Sequence, residues 1–261
     1  MHVQMISTPF AEKSVHYQEF PPRQYMPNSL TVNKIAKETI YTIPINEAFE
    51  AETECPLCEI AKRLEKEAIE YALGPAMMEP DHRELSNEKG YCNHHFRMLF
   101  KAENKLPLAL VLDTHLAELR KKLSPLANPE KKGLFKKNTE TTPLTSTISS
   151  CIVCDKINHT MDRYIKNLID MWHDDADFSR KLENSKGFCI PHFDLLYNSS
   201  NDTAFKKAIA EKEAQELVRI QEDIHKFTLK FDYRNRDMEW GTAKDAPIRT
   251  TEKIAGYITE E

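Results

Sequence analysis

Apolar residues recur at three- and four-residue steps through most of this chain, and no long alternating β-branched run competes with them, so the pattern predicts a mostly α-helical, all-α fold. The clearest stripe is Ile157, Met161, Tyr164, Ile165, Leu168 and Trp172, one face of a helix that begins near Cys151. A weaker copy, Ile60, Leu64, Ala68 and Tyr71, begins near Cys55. Farther along, Leu112, Leu116, Leu119 and Leu123 predict a second helix in the first half. Its counterpart, Leu217, Ile220, Ile224, Phe227 and Phe231, is a seam that another helix is expected to fill. Asp245 as cap, Pro247 in a first turn and an apolar side of Ile248, Ile254, Tyr257 and Ile258 predict a short terminal helix.

These stripes divide the chain. Residues 1–38 contain Pro9, Pro21, Pro22 and Pro27 without a sustained period and read as a flexible arm. Residues 39–123 and 149–231 read as two helical repeats, 124–148 as a linker rich in Pro, Thr, Ser and Lys, and 232–261 as a segment docking on the core. Each repeat carries an apolar stripe too large to leave in water, so the two are expected to pack as one pseudo-symmetric body.

The chemistry lies in a motif present twice. Cys55-Pro-Leu-Cys58 is followed by Gly90-Tyr-Cys92-Asn-His94-His95-Phe96, and Cys151-Ile-Val-Cys154 by Gly187-Phe-Cys189-Ile-Pro-His192-Phe193. The gaps match, with 33 residues between Cys58 and Cys92 and 34 between Cys154 and Cys189, and all six cysteines are used. Three thiolates and one imidazole make a closed tetrahedral zinc set, so two zinc ions are expected. The matched gaps favour pairing within a repeat, Cys55, Cys58, Cys92 and His95 at one site and Cys151, Cys154, Cys189 and His192 at the other. Pairing of one repeat's C-x2-C with the other's C-x2-H is the alternative. Alignment of the copies selects His95 over His94, which lies opposite Pro191. The same ligands also suit an iron-sulfur cluster.

Other classes are disfavoured by what the chain lacks. The 36 basic and 41 acidic residues are interspersed, which gives no field to attract nucleic acid. No apolar run approaches the ~20 residues of a membrane helix, and the first residues hold no signal-peptide core, so the expected compartment is cytoplasmic, where such cysteines serve as ligands rather than disulfides. Four protein ligands leave a metal no open position, and no catalytic residue is assigned. His82 and Glu84 imitate the H-x-E of zinc deaminases but lack the cysteine pair that should follow.

The stretches TIPINEAFEAETECPLCEIAK, GPAMMEPDHRELSNEKGYCNHHF, CIVCDKINHTMDRYI, SKGFCIPHF and FDYRNRDMEWGTAKDAPIRTTEKIAGY resemble an uncharacterised bacterial family, a domain of unknown function with a duplicated C-x2-C and G-[FY]-C-x2-H-F element. The resemblance covers residues 39–258 and implies a cytoplasmic bacterial protein without an assigned reaction. Two functions then compete: a zinc-stapled scaffold that binds a protein partner, and a thiol or iron-sulfur redox sensor using the same cysteines.

Overall fold

The computed structural model describes residues 40–127, 142–235 and 237–257. Among them the chain is all-α, with eleven helices and no strand. The expected arm and most of the expected linker lie outside the described residues.

The first half contains α1 (Thr42–Glu50), α2 (Pro56–Ala72), a 3-10 turn (Pro75–Met78), α3 (Pro80–Lys89), α4 (Asn93–Lys101) and α5 (Lys105–Ala127). The second contains α6 (Thr145–Ile148), α7 (Ile152–Asp174), α8 (Ala176–Asn184), α9 (Ile190–Ser199) and α10 (Thr203–Leu229), followed by α11 (Ala246–Ala255). Local chemistry sets the boundaries. Pro56 opens α2, where a missing N–H costs nothing. The Asp175 and Asp202 carboxylates accept first-turn N–H groups of α8 and α10. Gly90 and Gly187 end the approach to each C-x2-H with φ of 68° and 71°, a conformation that favours glycine.

Helices α2 and α7 form an antiparallel central pair. Leu57 and Ile60 near the start of α2 share a core with Tyr164, Ile165 and Leu168 well along α7. Ala68, Ile69 and Ala72 at its end share a second core with Ile152 and Val153 at the start of α7. The larger core also takes Ile45 of α1, Phe178 and Leu182 of α8, and Phe205 and Ile209 of α10. Burial of each such side chain contributes on the order of 1.5–3 kcal/mol before chain entropy is counted.

The α7 stripe packs as its periodicity predicts, with Met161, Tyr164, Ile165 and Leu168 buried. The expected α5 and α10 stripes do not. In α5 the buried face is Leu108, Val111 and His115, while Leu116 and Leu123 are exposed. In α10 only Ile220 of the expected seam is buried, and Phe231 is 74% exposed. The buried face of α10 is Phe205, Ile209, Glu213, Glu216, Ile220 and Asp223. Its acidic members receive α11, whose own inward face is Ala246, Lys253 and Gly256, with Ile248 and Ile254 exposed. Asp245 provides no side-chain cap to α11 and instead accepts a hydrogen bond from Arg249. Apolar periodicity cannot locate a face that docks by ion pairs.

One of those pairs is fully enclosed. Lys253 is 0% exposed. Its ammonium lies 3.0 Å from Glu213 Oε1, off the hydrogen-bonding direction, and donates to the Lys186 carbonyl at 2.7 Å. Glu213 Oε2 accepts the Phe188 N–H at 2.8 Å. Gly187 leaves room for this arrangement, since a Cβ there would stand 2.6 Å from Glu213 Oε2. Gly187→Ala is therefore expected to cost about 1–2 kcal/mol for the left-handed backbone and more for displacing Glu213. Thermal unfolding should show a larger loss than Gly241→Ala, where φ is 52° but nothing lies within 4 Å of the added carbon. Equal losses would show that the Glu213 contact contributes nothing.

Candidate metal centre

Each of the four half-motifs begins at a helix N-cap: Cys55 caps α2, Cys92 α4, Cys151 α7 and Cys189 α9. The sulfurs therefore lie beside the unpaired N–H groups of helix first turns, the positive end of the helix dipole, which suits an anionic metal–thiolate centre. The structure gathers them crosswise. Cluster A is Cys55, Cys58, Cys189 and His192; cluster B is Cys92, His95, Cys151 and Cys154. The expected pairing within each repeat is thus corrected, although the eight residues are those the motif singles out.

Helix lengths explain the crossing. At 1.5 Å per residue the 17-residue α2 is about 25 Å long and its end lies about 21 Å from Cys58, while the 10 residues of α3 return the chain by at most about 15 Å. Cys92 consequently ends beside the far end of α2, which is where antiparallel α7 starts with Cys151. The longer α7 and shorter α8 deliver Cys189 to the start of α2 in the same way.

Within each cluster every potential ligand atom lies within 4.8 Å of the others. In cluster A, Cys58 Sγ is 3.6 Å from Cys189 Sγ, and His192 Nδ1 is 3.4, 3.4 and 3.2 Å from the sulfurs of Cys55, Cys58 and Cys189. In cluster B, Cys92 Sγ is 3.9 Å from Cys154 Sγ, and His95 Nδ1 is 3.1, 3.2 and 3.4 Å from Cys92, Cys151 and Cys154. Zinc bonds of ~2.3 Å to sulfur and ~2.0–2.1 Å to nitrogen at tetrahedral angles put ligands about 3.5–3.8 Å apart. The donors therefore fit one small cation per cluster, and both clusters are positioned to bind metal. None of the six cysteines is in a disulfide.

With only protons in the clusters, the groups share charge. Burial works against a charged His95, yet hydrogen bonding with Cys151 and Glu65 outweighs it and pushes its pKa up to about 10. Burial also opposes a Cys151 thiolate, but His95 and the N–H groups of Cys154 and Cys92 bring it down to about 6. Cys154 is raised by burial and by the neighbouring Cys151. His192 is pushed up to about 12, its burial outweighed by hydrogen bonds with Cys189, Cys55 and Cys58. A metal must displace these protons, so acid favours its release.

Sequence reasoning missed Glu65. Its Oε1 lies 3.0 Å from His95 Nε2, on the side of the ring away from the sulfurs, the carboxylate–imidazole arrangement that orients a ligating histidine. Glu65 aligns with Met161 of the second copy, so the repeat held no signal for it. His94 stays outside both Cys3His clusters, with Nε2 2.9 Å from the same Glu65 oxygen. His82 packs edge-on against Tyr71, away from either cluster, and burial lowers its pKa.

An all-α fold with two Cys3His clusters positioned to hold metal defines the class of this protein. The chain belongs to DUF6062, a family of unknown function, which it matches over residues 36–261. No curated protein and no solved structure matches the chain. No helix among the described residues is long and apolar enough to cross a membrane.

Crosswise clusters predict that metal, not the connecting chain, joins the halves. A protease site inserted within residues 128–141 and cut should leave the halves together on a sizing column, and a strong chelator should then separate or unfold them. Halves that part with one metal each would restore pairing within repeats.

Proposed function

We propose that this protein is a zinc-stabilised helical scaffold that presents a face to a protein partner. The observation that carries the reading is the closed four-donor geometry, repeated twice with separations suited to a single ion. A polynuclear iron-sulfur cluster spreads its ligands over different irons, so four donors all within 4.8 Å of one another favour one ion per cluster. Native mass spectrometry should find two zinc ions per chain. His95→Ala should lose one and His94→Ala none. One ion or none in protein prepared without oxygen, or loss on the His94 substitution alone, would overturn the assignment.

Support for a partner comes from the outer side of α4 and α5. Phe96, Phe100, Leu108 and Leu112 line a groove of about 430 Å³ rimmed by Arg97 and Lys101. Phe100 is 66% exposed. An amphipathic helix with acidic flanks suits such a groove. A photo-crosslinking residue in place of Phe100 should capture one discrete protein in cells, whereas the same group in place of Ile148, exposed on α6, should not. Equal capture from both positions, or none from either, counts against the partner reading.

The second reading, a redox sensor on the same cysteines, draws on the half-buried Cys92 and Cys154 with sulfurs 3.9 Å apart. A brown sample under anaerobic purification favours iron, and a colourless one with two zinc ions favours the scaffold.

A further inference from the structure

We propose that α11 is a strap that seals cluster A, so that metal exchange and thiol chemistry begin at cluster B; the inference rests on the metal reading above. The strap holds both sulfur-bearing segments of cluster A. On one side Arg249 reaches Glu54, the residue before Cys55, at 3.4 Å, and Asp223 at 3.0 Å. On the other, Lys253 pairs with Glu213, which accepts the N–H of Phe188, the residue before Cys189. Beyond α11 the chain turns at Gly256, buried with φ of 85°, where an added Cβ would lie 3.6 Å from Cys189 Sγ and 3.9 Å from Cys58 Sγ. The backbone itself thus lies over two sulfurs. Tyr257 then sets its ring 3.9 Å from the Lys62 ammonium.

Cluster B has no such cover among the described residues. In the corresponding place, Ser150 and Thr147 donate to the Lys89 and Glu88 carbonyls. In cluster B Cys92 and Cys154 are half-buried with Cys151 and His95 buried, whereas in cluster A all three cysteines are buried and only the imidazole of His192 is half-buried, so the contrast lies in the sulfurs. Cluster A also sits in the larger apolar core. An electrophile or chelator therefore meets Cys92 and Cys154 first.

The test uses the full zinc-loaded chain with N-ethylmaleimide. The thiolate adds to the maleimide double bond, forming one S–C bond; the other alkene carbon takes up a proton and the zinc loses a ligand. Zinc release is followed with a chromogenic chelator and alkylation by peptide mass spectrometry over time. One zinc should leave with modification of Cys92 and Cys154, and the second at least tenfold more slowly with Cys58 and Cys189. Arg249→Gln and Lys253→Met, each checked for retained helicity, should accelerate the second phase toward the first and leave the first unchanged. Simultaneous reaction of both clusters, earlier reaction at cluster A, or a second phase unmoved in the folded variants would overturn the strap. A preparation with no zinc would overturn the metal reading, and the order of alkylation would still decide the strap.

Discussion

Three cysteine sulfurs and an imidazole nitrogen held within 4.8 Å of one another, twice over, are the constraint on which the rest of the structure depends. Three bare thiolates at that separation would repel, and three thiols would waste the donor geometry. The proposed zinc ion would resolve the conflict, leaving a net charge of about −1 with a neutral imidazole. Two helix N-termini meet at each cluster, α2 and α9 at A and α7 and α4 at B, and each carries roughly half a positive charge. Their sum balances the residual charge of the proposed site, which explains why all four half-motifs sit at N-caps.

Crosswise grouping makes these clusters a tie between halves rather than a staple within each. The central pair, α2 and α7, is antiparallel, so each of its ends brings one C-x2-C beside the C-x2-H that follows the other helix. Structural zinc can supply on the order of 10 kcal/mol of folding free energy, comparable with the stability of a whole domain. In the proposed zinc-loaded form that energy, placed across the α2–α7 pair, would fix the register of the two halves. Glu65 adds direction to His95, and burial of Lys253 with Glu213 adds a charged contact that is costly to break from either side.

The eight candidate ligands were legible because C-x2-C and C-x2-H are local spacings, and local spacing survives whatever the tertiary arrangement. Their grouping was not legible, because it depends on how far α2 and α3 travel before Cys92 returns, a length that the matched gaps of 33 and 34 residues conceal. The face of α7 was legible since it is apolar on one side. The faces of α10 and α11 were hidden because Glu213, Glu216, Asp223 and Lys253 are buried through ion pairs, and a hydrophobic period misplaces such helices by pointing to Leu217 or Ile254 instead. Membership of DUF6062 assigns no reaction, so the functional reading rests on the site chemistry alone.

The crosswise tie is tested most directly by replacing the metal with cadmium-113 and correlating each cadmium resonance with cysteine β-protons. The account predicts two resonances, one coupled to Cys55, Cys58 and Cys189 and the other to Cys92, Cys151 and Cys154. A resonance coupled to Cys55, Cys58 and Cys92 together would contradict it.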